Sequence, residues 1–247
     1  MPRACIVLLA ACLAFVGIAR GEALAVRYSE GVVHGFLALR TLDGEVIAHG
    51  DLSQVARGDR VSARLTLEFN DGSHHEETVT FSQRGKFRLL SERLSQRGPT
   101  FPHETDLWID AVKGTVNGTA LAMPADVANG LMSILMKNIP DDRESVTMAL
   151  VVPASKPRLA DVTIARDGED RFSVSGSQRT AVRYRVKVRL RGIAGVAAAV
   201  AEKEPPDYHV WIMKGEAPVF LKSEGPLYFG GPVWRIELAS PSWTQAK

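Results

Sequence analysis

Val61-Ser62-Ala63-Arg64-Leu65-Thr66-Leu67-Glu68-Phe69, followed by Asn70-Asp71-Gly72, decides the fold class of this chain. Val61, Ala63, Leu65, Leu67 and Phe69 alternate with Ser62, Arg64, Thr66 and Glu68. That period of two belongs to a strand with one buried and one wet face. Asn70-Asp71-Gly72 reads as a hairpin turn. His75, Glu77, Val79 and Phe81 then continue one face of the returning strand. Residues 83–86 turn again into a strand that begins at Phe87. Upstream, residues 33–40 and 45–52 flank Asp43-Gly44 in the same way.

Downstream, strands are expected over residues 145–152, 158–166, 171–175, 179–191, 208–213, 217–222 and 233–239. The one helix expected in this region spans residues 124–139, with Pro124 in its first turn and Pro140 ending it. Val127, Ala128, Leu131, Met132, Ile134, Leu135, Met136 and Ile139 cover about half its circumference. A face that broad suits a helix lying in a concave sheet. The expected fold is therefore mainly β: a large curved antiparallel sheet, an open or half barrel, around one central helix.

The first 25 residues have another character. Arg3 precedes an almost unbroken apolar run over residues 4–19, and Ala23-Leu24-Ala25 places small residues where a signal peptidase reads. That pattern is a signal peptide, with cleavage expected after Ala25 and, as second choice, after Gly21. The run is shorter than the roughly 20 apolar residues of a spanning helix. A single β-rich domain is expected over residues 26–239, with a tail at 240–247, in the periplasm or secreted. Leu9-Ala10-Ala11-Cys12 resembles a lipoprotein acylation site, but its leader is short, and a soluble exported protein is the stronger expectation.

Both cysteines, Cys5 and Cys12, fall inside this leader. Cleavage after Ala25 leaves 222 residues with 28 basic and 27 acidic side chains. So balanced a chain has no global field for nucleic acid. Without cysteine it has no thiolate chemistry. No Gly-x-Ser-x-Gly elbow, phosphate-binding loop or His-Glu-x-x-His is present. Ser175-Gly176-Ser177 and the pair Asp106 and Asp110 are weak catalytic candidates. His74-His75-Glu76-Glu77 resembles a metal site, but neighbours on a strand point to opposite faces. These four are read as solvated residues beside a turn. No metal site, cofactor or catalytic residue is assigned.

Two features point to binding. Arg183, Arg185, Lys187, Arg189 and Arg191 line one face of a strand whose other face is apolar. Such a stripe can meet an anionic membrane surface or another polyanion. The stronger reading is a solvated outer face paired with acids such as Glu237, Glu202 and Glu204. Residues 192–201, all small and apolar, follow directly and read as a buried connector. The tryptophans Trp108, Trp211 and Trp234 lie on expected strands. With Leu131, Met132, Leu135 and Met136 of the helix, they are the candidate lining of an apolar ligand space.

Lys203-Glu204-Pro205-Pro206-Asp207, Tyr208-His209-Val210-Trp211-Ile212 and the stretch from Gly230 through Trp234 to Leu238 carry a resemblance. In layout the chain resembles exported bacterial domains in which a strongly curved antiparallel sheet wraps a central helix. The periplasmic lipoprotein-localisation factors typify them. The resemblance implies that fold and a habit of holding apolar ligands; it carries over no catalytic residue. The leading expectation is non-enzymatic binding of an apolar or lipid-like ligand. The alternatives are an envelope scaffold that docks a protein along a strand edge, and a hydrolase with an unrecognised site.

Overall fold

The computed structural model describes residues 23–152, 156–174, 177–190 and 207–239. The leader up to residue 22, Arg191, residues 192–201, Glu202, Glu204 and the tail from 240 lie outside them. Among the described residues, fourteen strands form one antiparallel sheet that does not close into a barrel. The chain lays down β1 (Val33–Arg40), β2 (Val46–Arg57), β3 (Arg60–Phe69), β4 (His74–Ser82), β5 (Arg88–Arg97), β6 (Thr105–Asp110), β7 (Thr115–Val116) and β8 (Thr119–Ala120) as a meander. The helix α1 (Met132–Asn138) follows. A second meander runs through β9 (Ser145–Val152), β10 (Arg158–Val174), β11 (Ser177–Leu190), β12 (Tyr208–Met213), β13 (Val219–Gly225) and β14 (Trp234–Leu238). The first strand of one meander pairs with the last of the other, Leu37 opposite Leu238 and Leu39 opposite Ile236. The sheet edges are therefore β8 and β9, and the helical connection joins them.

One apolar cluster holds Val61, Val79, Phe81, Leu107 and Ile109 from β3 to β6 together with Met148, Ile164, Tyr184, Val186 and Val210 from β9 to β12. These strands sit toward opposite ends of the sheet order, so the sheet curls until its two halves share a core. Leu131, Ile134, Leu135, Met136 and Ile139 fill the space between them. The helix lies in the concave face, as its broad apolar arc requires.

The helix is shorter than the spacing predicts. Residues 126–129 instead extend along β9. Val127 bridges Ala149 in parallel, and Ala128 N–H donates to the Ala149 carbonyl at 2.9 Å. The Asn129 side chain stands in for a further peptide, accepting from Val151 N–H at 2.7 Å and donating to its carbonyl at 3.1 Å. Gly130 then turns with φ +64°, against Val79 of β4. Hydrogen bonds to an open strand edge outweigh helix propensity over this first half. At the other end, Asn138 Oδ1 accepts from the backbone N–H of Arg27 (2.8 Å) and Tyr28 (2.7 Å), tying the N-terminal segment to the helix.

Other boundaries differ for local reasons. β10 runs unbroken through residues 166–169, where a bulge absorbs the interruption that reads as a gap between two strands. Asn117-Gly118, with φ +46° and +79°, forms the two-residue turn of the short β7–β8 hairpin, which alternation over two-residue strands does not signal. Ala23 and Leu24 are buried, and the Leu24 carbonyl accepts from Phe87 N–H at 2.9 Å.

Gly130 is the tightest point of the connection, because an added Cβ would sit 2.1 Å from Val79 Cγ2. Gly130→Ala is expected to lower stability by ~1–3 kcal/mol for overpacking, with a further ~1–2 kcal/mol for the left-handed backbone. Urea titration should show a lower midpoint with an unchanged slope. A midpoint equal to the parent's would mean that this turn is not fixed against β4.

Candidate functional site

Alternation along β4 turns His75, Glu77, Val79 and Phe81 to the concave face, and along β5 it turns Glu92, Leu94 and Gln96 there. Val79 and Phe81 enter the core. His75 and Glu77 instead meet the second half of the sheet, where Tyr208 of β12, Ser223 of β13, and Trp234 and Ile236 of β14 point inward. With Leu65 of β3, Leu94 and the loop residues Pro226 and Leu227, they line a cavity of about 240 Å³. Phe69, Phe101, Tyr228 and Trp234 close that end of the concave face as a ring of edge contacts, 5.4 to 6.2 Å between centroids. Gly225 lets the Tyr208 ring lie on the backbone, since a Cβ there would fall 1.8 Å from Tyr208 Cδ2.

The hydrogen bonds fix the state of His75. Gln96 Nε2 donates to the Leu227 carbonyl at 2.8 Å and lies 3.1 Å from His75 Nδ1. A carbonyl only accepts, so the amide nitrogen must face it, and the second amide hydrogen reaches Nδ1. Nδ1 is thus the acceptor and Nε2 carries the proton. That Nε2–H is buried and has no partner. Burial, and secondarily the charge of His74, push the His75 pKa down to about 4 from 6.5. At neutral pH the ring is an uncharged donor.

Glu77, half-buried at the cavity wall, and Glu92, buried behind it, form a carboxyl pair. Burial pushes Glu92 well above the usual carboxylate range, and Glu77 beside it adds to the effect. Burial also raises Glu77, while its hydrogen bond with Glu92 opposes the rise. Two carboxylates in contact without a cation share one proton. A proton on Glu92 is also consistent with the burial of its Oε2, which no donor reaches. Tyr208, its pKa raised by burial, stands beside Ser223 on the cavity wall. The arrangement offers an apolar wall, one free N–H donor and one shared-proton carboxyl pair.

The structure distributes the predicted site residues differently. Trp234 lines the cavity. Trp108 points to the outer face, 45% exposed. Trp211 also lies on the outer face, where its Nε1 donates to Asp170 Oδ2 at 2.7 Å and Lys222 Nζ sits 4.0 Å from its ring centroid. Leu131, Leu135 and Met136 are fully enclosed in the core and Met132 is half-buried; none of the four lines the cavity. Of the residues expected to line an apolar ligand space, Trp234 alone borders this cavity.

The basic stripe is largely paired. Arg183 binds Asp167 and Asp170, each at 3.1 Å, Arg185 lies 3.9 Å from Asp167, and Lys187 lies 3.9 Å from Asp207. Glu237 pairs with Arg40 at 2.6 Å instead. Arg189 is exposed, opposite Asp161 in register.

His75 and Glu77 are not the solvated residues expected beside a turn. Their alternation with Val79 and Phe81 is the signal that places them inward. His74 and Glu76 are the outward pair, with His74 Nδ1 2.8 Å from Glu68 and Arg64 2.7 Å from Glu76. Among the described residues no three metal-ligating side chains gather. A larger groove, about 460 Å³, opens beside residues 111–114 and 120–123. Its one charged lining side chain, Lys113, is paired with Asp110 at 3.2 Å. Comparison with protein-family models, with characterised proteins and with solved structures finds no match to this chain.

The two titrating elements act on stability in opposite directions. His75 charges below 6.5 in the unfolded chain but only near 4 in the fold, so stability falls by about 3 kcal/mol as pH drops through that window. The carboxyl pair titrates higher in the fold than unfolded. Its contribution is complete below the unfolded carboxylate range and is lost as pH rises. Denaturant midpoints measured from pH 4 to 8 should therefore show His75→Gln removing part of the acid-side loss and Glu92→Gln removing part of the loss toward higher pH. Profiles parallel to the parent's would overturn both assignments.

Proposed function

We propose that this is an exported binding protein that holds one end of an apolar or lipid-like ligand in the cavity at Trp234, without catalysing a reaction. The supporting observation is the lining itself: Leu65, Leu94, Leu227, Trp234 and Ile236 form the walls, and four polar side chains converge at one place. Pockets for drug-sized ligands are usually apolar with a few placed polar groups, and measure roughly 300–1,000 Å³. At about 240 Å³ this one suits a chain end or a small head rather than a whole lipid. The resemblance to curved periplasmic β domains agrees with the reading. Docking along a strand edge has less in its favour. β8 is two residues long, and residues 126–129 occupy the middle of β9.

Two measurements test the binding. The native protein should co-purify with lipid or another apolar molecule detectable by mass spectrometry. The apolar dye N-phenylnaphthylamine should quench tryptophan fluorescence and raise Tm, as a ligand of the native state must. Trp234→Ala should weaken dye binding at least tenfold, whereas Trp108→Ala should leave it unchanged. An empty native protein that binds no dye would give the scaffold reading first place.

Export carries a sharper expectation. Removal through Ala25 would take buried Leu24 out of the core and delete the backbone bond from Phe87 to the Leu24 carbonyl. Removal after Gly21 preserves both, and Ala19 and Gly21 are the small residues that cut needs. We therefore place the mature N-terminus of the envelope form at Glu22. N-terminal sequencing that reads Val26, or a lipid on Cys12, would overturn this placement.

A further inference from the structure

We propose that the cavity recognises an aliphatic alcohol, seating its hydroxyl between His75 and Glu77 and its chain against Trp234. The inference rests on the binding reading above and names the ligand's polar group. His75 borders the cavity, yet its exposed surface is only 3% of its maximum. Its Nδ1 is taken by Gln96, so Nε2–H is its remaining polar group, and the protein supplies that donor with no acceptor. Buried donors without partners are rare and unfavourable. Nε2 itself is closed off from solvent, so a ligand oxygen that accepts from it and restores the bond does so by displacing the side chains packed against it.

Glu77 borders the same cavity two residues along β4, on the same face. It is an acceptor, and Glu92 behind it already shares its proton with the pair. The group that fits both neighbours must accept from one and donate to the other. A hydroxyl does both with a single atom. An ether or ester only accepts and leaves Glu77 unanswered. A carboxylate would bring a further negative charge beside Glu77 into a cavity lined by no lysine or arginine. An ammonium can donate to Glu77 but has nothing to offer the His75 N–H. Leu65, Leu94, Leu227, Ile236 and the face of Trp234 are left for the hydrocarbon.

The test is a ligand series of similar length at pH 7, read by tryptophan quenching and calorimetry. The probes are 1-octanol, methyl heptyl ether, octanoate and octylammonium. 1-Octanol is expected to bind about fivefold tighter than the ether, the equivalent of one neutral hydrogen bond, and at least tenfold tighter than octanoate. Glu77→Gln should narrow the octanol-to-octanoate ratio by about tenfold while the fold is kept. Octanoate or octylammonium binding as tightly as 1-octanol would overturn the proposal. So would equal affinity for alcohol and ether. The wild-type series decides even if the variant does not fold. If N-phenylnaphthylamine binds and none of the four probes does, the hydroxyl site is wrong and the binding reading stands. If the dye also fails, the binding reading itself falls.

Discussion

A sheet with one apolar face must have that face covered, and among the described residues there is little besides the sheet to cover it with: a single helix of seven residues and the short connections. The sheet resolves this by curling, so that β3–β6 and β9–β12 cover each other across the helix. The pairing of β1 with β14 makes this possible. It joins two meanders into one continuous surface and brings both ends of that surface, β8 and β9, to the same helical connection. The connection then has two tasks: it fills the interior with Leu131, Leu135 and Met136, and it covers the edge of β9 with residues 126–129. A longer helix would do the first better and leave the second undone.

Curling also determines where polar groups can be tolerated. The aromatic ring around Trp234 and the helix-filled core are two separate apolar regions along the concave face. His75, Glu77, Glu92 and Gln96 lie where they meet. Each is accommodated by a different device: an amide locked by a carbonyl, a ring kept neutral, a carboxyl pair sharing a proton. Removing such groups from water is unfavourable unless each is partnered. At Gln96 Nε2 both hydrogens are used. At His75 Nε2 the hydrogen is not, and that incompleteness falls at the wall of a cavity that both halves of the sheet line.

Much of the fold is legible in the sequence because alternation is strong wherever one face is wet. Residues 33–40, 145–152 and 208–213 read as strands with the bounds that β1, β9 and β12 have. The helix bounds are not legible in the same way. Nothing in Val127-Ala128-Asn129 announces that it will answer the open edge of β9, because that demand arises from a strand some twenty residues further on. Gly130 is the local hint, since a left-handed turn inside a helical pattern is where a helix would stop. The Asn117-Gly118 hairpin was equally available as a turn signal, but two-residue strands give alternation nothing to count.

The site was less legible for a reason that parity explains. Hydrophobic character suggested that Trp108, Trp211 and Trp234 were inward, yet position along the strand decides the face. Leu107 and Ile109 occupy the inward positions of β6, which sends Trp108 out. Val210 and Ile212 do the same to Trp211, which is then buried from outside by Asp170, Arg183 and Lys222 rather than by core. Trp234 alternates with Ile236, and both point in. The same rule applied to polar residues reverses the reading of His75 and Glu77: counted with Val79 and Phe81 they must lie inside, whatever their polarity. On a curved sheet with one buried face, a polar residue at an inward position is therefore the more informative sign of a site than an aromatic at an outward one, because only the polar residue must be answered by another group.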